Sequence, residues 1–235
     1  MLDAQTLANR HAAQTLRGVA PEHVSVPWRN LRHLLSLHAT VTPDKVFLIH
    51  YDTHGDREEL TYAQFNAKVH QAASFLYDDL GVRRGDRVAT IAYNHSDTVI
   101  LYFACWLIGA AVAPQNVSED DRRIAFILRN SAAVVCFARA EYLERAEAII
   151  NGDADAGLGA ANIRQIVVIG GASNQYLNFH DEIANRPNTF MSTIERPTLH
   201  DEALLVYTSG TTGAPKGEVL SQANLLIDAQ GICQW

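Results

Sequence analysis

Between Arg87 and Ile169 short apolar runs alternate with longer segments of helical period, and this alternation limits the fold more than any other feature. Arg87–Tyr93 reads as a strand, and Asp97–Gly109 as a helix apolar on nearly every face and therefore buried. Ala111–Ala113 is a short strand stopped by Pro114, and Ser118 with Asp121 forms a capping box opening a helix to about Asn130. Ala133–Phe137, Glu141–Ile150 and Arg164–Ile169 continue the pattern as strand, helix and strand. Strands separated by helices of this length predict parallel βαβ units, hence an α/β fold with a doubly wound, largely parallel sheet flanked by helices. Upstream, Thr61 and Gln64 predict a capping box; Tyr62, Phe65, Val69, Ala72, Ala73, Leu76 and Leu80 then recur at helical spacing until Gly81. With 235 residues, 48% of them hydrophobic, the chain has enough apolar surface for such a core.

Composition removes several function classes. A net charge of −7 argues against nucleic acid as a partner, because phosphate backbones require a basic face. No apolar run has the length of a membrane span, and Met1-Leu2-Asp3-Ala4-Gln5 has no signal-peptide pattern. Cys105, Cys136 and Cys233 lie in apolar contexts without metal or redox spacing, so all three are expected as buried small hydrophobes in a reducing, cytoplasmic setting. Asn151–Asn162 reads as an exposed loop and Pro187–His200 as an irregular run-in to a further strand.

That strand, Leu204–Tyr207, leads into Thr208-Ser209-Gly210-Thr211-Thr212-Gly213-Ala214-Pro215-Lys216-Gly217. Glycines let successive N–H groups point into one concavity, while Thr208, Ser209, Thr211 and Thr212 add hydroxyl donors and Lys216 a compact charge. This combination suits a polyphosphate. A Walker A loop is excluded, since Gly210, Gly213 and Lys216 fall three apart and Gly217 occupies the place of the Mg²⁺-binding hydroxyl.

Tyr207–Gly217 resembles, without gaps, the phosphate-binding signature of the adenylate-forming superfamily of acyl-CoA synthetases, aryl-CoA ligases, luciferases and peptide-synthetase adenylation domains. Glu59–Tyr62, Gly85–Ala89 with Asn94, and Gly109–Pro114 with Asn116 resemble other segments of that family in the same order. The resemblance implies ATP-dependent activation of a carboxylic acid through an acyl-adenylate, followed by transfer to coenzyme A: an AMP-forming acid–thiol ligase of fatty acid metabolism. It implies that Thr208, Ser209, Gly210, Thr211, Thr212, Gly213 and Lys216 hold the β- and γ-phosphates of ATP in a loop spanning 207–217, with Lys216 as the catalytic charge. Mg²⁺ is expected with ATP, but no metal ligand is assigned in this chain, because the family's metal-binding glutamate, adenine pocket and ribose aspartate lie further on. Residues 1–26 are expected as an N-terminal extension and 27–235 as an incomplete N-terminal domain, with the C-terminal domain absent and the chain inactive alone. A homo-oligomer and the missing C-terminal half are the expected protein partners. An adenylation domain serving a carrier protein, or a non-catalytic nucleotide-binding or partner module, are the alternatives.

Two departures from the family pattern stand out. Glu218 occupies a position where the family has an apolar or small residue, and spacing of two in an extended segment predicts that it pairs with Lys216 and competes with phosphate. Gln222 occupies a position where the family commonly has histidine. Three further constellations favour bland readings. His50 and His54 belong to a strand-to-turn segment, His180-Asp181-Glu182 to a solvated helix surface, and Ser96 or Asp97 to a helix N-cap.

Overall fold

The computed structural model describes residues 4–5, 8, 25–52, 54–171, 173–190, 196–208 and 215–233. Helix α1 (Leu31–Val41) begins at Asn30, whose Oδ1 accepts the His33 N–H at 2.7 Å. Strands β1 (Val46–Tyr51) and β2 (Arg57–Thr61) form a separate antiparallel pair. The expected capping box opens α2 (Tyr62–Ser74): the Gln64 N–H donates to Thr61 Oγ1 and the Thr61 N–H to Gln64 Oε1. The helix ends in a widened π-turn over Phe75–Asp79, where the adjacent Phe75 and Leu76 are both fully buried. A wider turn lets neighbouring side chains share the inward face.

The alternating region folds as expected. It runs β3 (Arg87–Ile91), α3 (Ser96–Ile108), β4 (Ala111–Gln115), α4 (Asp121–Asn130), β5 (Ala133–Arg139), α5 (Leu143–Ile150) after a short 3₁₀ turn, and β6 (Gln165–Ile169). β7 (Leu177–Asn178), α6 (Phe179–Ala184), β8 (Glu202–Thr208), β9 (Lys216–Ser221) and α7 (Gln222–Cys233) complete the described elements. The seven-stranded sheet has the order β7-β6-β5-β3-β4-β8-β9, parallel throughout except for β9, which returns antiparallel to β8. Pro114, expected to end β4, lies within it opposite Thr90, because the ladder to β3 continues to the Ile91↔Gln115 pair. The cap of α3 is His95 and that of α4 is Asp120, one position before the expected Ser96 and two after Ser118.

Strand alternation sorts the core into two layers. Val88, Val112, Val135, Phe137, Val167 and Ile169 face α2, α3 and α6, whereas Ala89, Ile91, Cys136, Ala138 and Ile166 face α4 and α5. Each fully buried Leu, Ile or Phe in these layers contributes about 1.5–3 kcal/mol. Helix α3 is buried from Ile100 to Ile108 apart from Tyr102 and Phe103, as its apolar composition requires. A smaller cluster of Leu31, Trp106, Ala203 and Leu226 joins α1, α3, β8 and α7.

Candidate phosphate-binding site

The chain leaves the carboxyl ends of β4 and β8 in opposite directions, β4 back across β3 to β5 and β8 outward to β9. Such a divergence opens a crevice at the carboxyl edge of a parallel sheet. The β8–β9 ladder runs from Glu202↔Ser221 to Thr208↔Lys216. Thr208 and Lys216, two of the candidate phosphate contacts, therefore face each other across the ladder's last pair, and both are exposed. Directly opposed residues lie about 4.5–5.5 Å apart, so the pair closes the base of the loop. Ser209, Gly210, Thr211, Thr212 and Gly213 lie outside the described residues.

One pair inward, Tyr207 lies opposite Gly217. A Cβ on Gly217 would sit 2.8 Å from Tyr207 Cζ, so only glycine lets the ring lie across β9. The Tyr207 hydroxyl donates to Asn130 Oδ1 at 2.7 Å, tying the strand's end to the end of α4. Burial pushes the Tyr207 phenol above its ordinary value, which keeps it a donor. Gln115, at the end of β4, is buried; its Nε2 donates to the Ala113 carbonyl at 2.9 Å, and among the described residues its Oε1 has no partner.

The other end of β8 is anchored by charge and by buried hydrogen bonds. Arg84 grips Asp201 through two bonds of 2.8 and 3.0 Å, and Arg87 pairs with Glu202 at 2.6 Å. Trp106 Nε1 donates to the Ala203 carbonyl at 2.7 Å. Gln222 is fully buried: its Oε1 accepts the Leu31 N–H at 2.9 Å and its Nε2 donates to the Trp106 carbonyl at 3.1 Å. Sequence reasoning singled out Gln222 only as a departure from the family pattern; its structural part is to staple α1, α3 and α7 beneath β8.

The expected Glu218–Lys216 pairing is not formed. Among the described residues no ion pair joins them, and Glu218 lies opposite Val206 with an exposed side chain. Both side chains reach water on an edge strand, where holding two long chains together gains little.

Elsewhere His50 lies at the end of β1 and His180 on an exposed helical turn, as expected, whereas the cap expected at Ser96 or Asp97 is His95. The His50 and His95 rings pack at a tilt of 55° with centroids 4.7 Å apart, and His95 Nδ1 accepts the Asp97 N–H at 3.1 Å. Burial holds the His95 imidazole below its ordinary range despite the nearby Asp97 carboxylate. His180 is exposed but lies over the buried Asp97, with Nδ1 3.8 Å from Oδ1. Among the described residues no three His, Cys, Asp or Glu side chains converge on a metal position, and no helix is long and apolar enough to cross a membrane. Cys105 and Cys136 are buried, the latter thiol pushed up to about 12 by desolvation, whereas Cys233 is exposed near the end of α7, contrary to expectation.

Residues 35–235 match the family described as AMP-binding enzyme. The chain is 28% identical over 199 residues to a crotonobetaine/carnitine–CoA ligase of Salmonella paratyphi A, covering 84% of this chain and 37% of that protein. It is 31% identical over 175 residues to a long-chain-fatty-acid–CoA ligase of Mycobacterium tuberculosis, covering 74% and 28%. The crystal structure of an anthranilate CoA ligase in complex with anthranoyl-AMP superposes with a TM-score of 0.72 and 26% identity, covering 87% of this chain and 37% of that one. The chain thus spans 37% and 28% of the length of these two curated relatives.

Proposed function

Because the chain belongs to the AMP-binding enzyme family, we propose that it carries the ATP-phosphate grip of an AMP-forming acid–thiol ligase. The observation that carries this reading is the terminal Thr208↔Lys216 pair at the carboxyl edge of the sheet, which holds a hydroxyl- and glycine-rich segment between its two members. In the reaction so assigned, a carboxylate oxygen attacks the α-phosphorus of ATP and the bond to the β-phosphate oxygen breaks. Pyrophosphate leaves, and the thiol of coenzyme A then attacks the acyl carbon and expels AMP. Carboxylate and triphosphate repel each other, so positioning and charge neutralisation dominate the rate. Lys216 neutralises the departing pyrophosphate; Thr208, with Ser209, Gly210, Thr211, Thr212 and Gly213, supplies N–H and hydroxyl donors to it. Tyr207 is a positioning residue that fixes the base of the loop against α4.

Mg²⁺ accompanies ATP in this chemistry, but the described residues offer no cluster to hold it, and none is assigned that part. The acid is a carboxylic acid of open class, since the matched proteins are named for carnitine or crotonobetaine, long-chain fatty acids and anthranilate. The chain alone binds nucleotide without completing acyl transfer; an acyl-CoA assay showing sustained AMP release contradicts that.

The grip itself is tested by Lys216→Ala. One charge-assisted phosphate contact is worth about 1.5–3 kcal/mol, so ATP affinity measured by calorimetry falls about tenfold to a hundredfold. Lys216 is exposed, so thermal stability stays level. Unchanged affinity removes the assignment.

A further inference from the structure

A second cationic feature lies at the opposite end of β8. The start of α1 and the segment Arg196–Thr198 enclose a cavity of about 480 Å³ lined by Arg29, Arg32, His33, Ser36, Arg196 and Thr198. Its walls are joined, because Asn30 Nδ2 donates to the Pro197 carbonyl at 2.6 Å. Three arginines line it, Arg32 half-buried and Arg29 and Arg196 exposed, and among the described residues no ion pair joins any of them to a carboxylate. The chain has 26 Asp and Glu against 19 Lys and Arg, so carboxylates are not scarce. The acid in the adjoining turn, Asp201, is engaged through both oxygens by Arg84. Arg32, half-buried beside the exposed Arg196, loses hydration and meets a like charge, and such a cost persists where something else compensates it. Arg32 registers this directly: burial and the Arg196 charge both lower its pKa, and its own field reaches His70.

We propose that this cavity is an anion site for a ligand carrying two or more linked phosphates. A lone carboxylate offsets one guanidinium of three. A single phosphate, at about −1.5 to −2, still leaves them undercompensated, whereas two linked phosphates match them. Planar guanidinium forks suit phosphate oxygens in pairs, and the Ser36 and Thr198 hydroxyls add neutral donors. The seven residues of β8 separate this cavity from the Lys216 loop by about 20 Å, at about 3.3 Å per residue. The two anion sites are therefore separable by mutation, and this proposal stands whether or not the ligase reading does.

Inorganic pyrophosphate is the probe, titrated by calorimetry into Lys216→Ala in metal-free buffer at constant ionic strength. The expected result is saturable binding to that variant, weakened at least tenfold by adding Arg32→Gln or Arg196→Gln. Inorganic phosphate should bind at least tenfold more weakly than pyrophosphate. A thermal readout guards against misfolding. Arg196→Gln relieves repulsion, so it should raise the unfolding temperature without anion and abolish the rise that pyrophosphate produces in Lys216→Ala. ADP binding more tightly than pyrophosphate supports a nucleotide as the source of the phosphates; the reverse order supports an inorganic polyphosphate. A folded Lys216→Ala that ignores pyrophosphate, arginine variants that bind it as before, or phosphate binding as tightly as pyrophosphate each overturn the proposal.

Discussion

Single side chains decide how firmly the end of β8 is held. Gln222 satisfies two buried backbone groups with its one amide, and their parent residues lie 191 and 116 positions away in the chain. Gln222→Leu keeps the volume, orphans the Leu31 N–H and leaves the Trp106 carbonyl with only its 3.3 Å bond from the Gly109 N–H. At about 1–3 kcal/mol for the one unsatisfied group, the variant should lose about that much, read as a shift of the urea midpoint with unchanged slope. A midpoint within error of the parent would show that water replaces the amide. The long separations explain why sequence reasoning marked this residue as unusual and could not say what it touches. The same holds for Glu218: spacing of two placed it near Lys216, but only the exposure of both side chains shows that they do not pair.

Among the elements, the β8–β9 hairpin matters most for the proposed chemistry. Its register sets Gly217 under the Tyr207 ring, and the ring's hydroxyl is already committed to Asn130. Gly217→Ala therefore forces either the ring or the strand to move, at a cost of about 1–3 kcal/mol for overpacking. ATP affinity should fall in Gly217→Ala although no phosphate contact has been removed, while Tyr207→Leu in the same background should recover part of the stability. Equal stability of Gly217→Ala and parent would mean that the ring yields without resistance. Local pattern made most elements legible, including the Thr61–Gln64 capping box and the buried character of α3. Cap identity was less legible. His95 takes the cap because its backbone is extended, with φ −152°, while the better capping types Ser96 and Asp97 are already inside the helix.

At the scale of the whole molecule, half-buried histidines couple stability to pH. His70 Nδ1 accepts the Phe190 N–H at 2.9 Å, so the folded state requires that nitrogen unprotonated. Burial first, and the Arg32 charge second, lower its pKa from 6.5 to about 4. A depressed folded pKa means that the unfolded chain binds the proton first. The stabilising effect is therefore complete above pH 6.5, is lost as pH falls below it, and is gone near pH 4. Discounted for partial solvent screening, the change amounts to about 1–2 kcal/mol, and His95 shifts in the same direction. Urea midpoints at pH 7 and pH 5 should fall further for the parent than for His70→Gln, whose amide oxygen can still accept from Phe190. Parallel losses would remove His70 from the account.

The amino-acid sequence by itself determined the α/β class, the parallel βαβ succession and the position of a phosphate-suited bend, because strand and helix periods and glycine–hydroxyl chemistry act over a few residues. Only the tertiary structure decided that β8 lies beside β4 and not beside β7, which precedes it in the chain. It likewise decided that Gln222 is a buried staple, and that Arg29, Arg32 and Arg196 share one cavity. Those outcomes depend on groups more than a hundred residues apart meeting in a dense interior, where volume and hydrogen-bond saturation select among partners that no local pattern distinguishes.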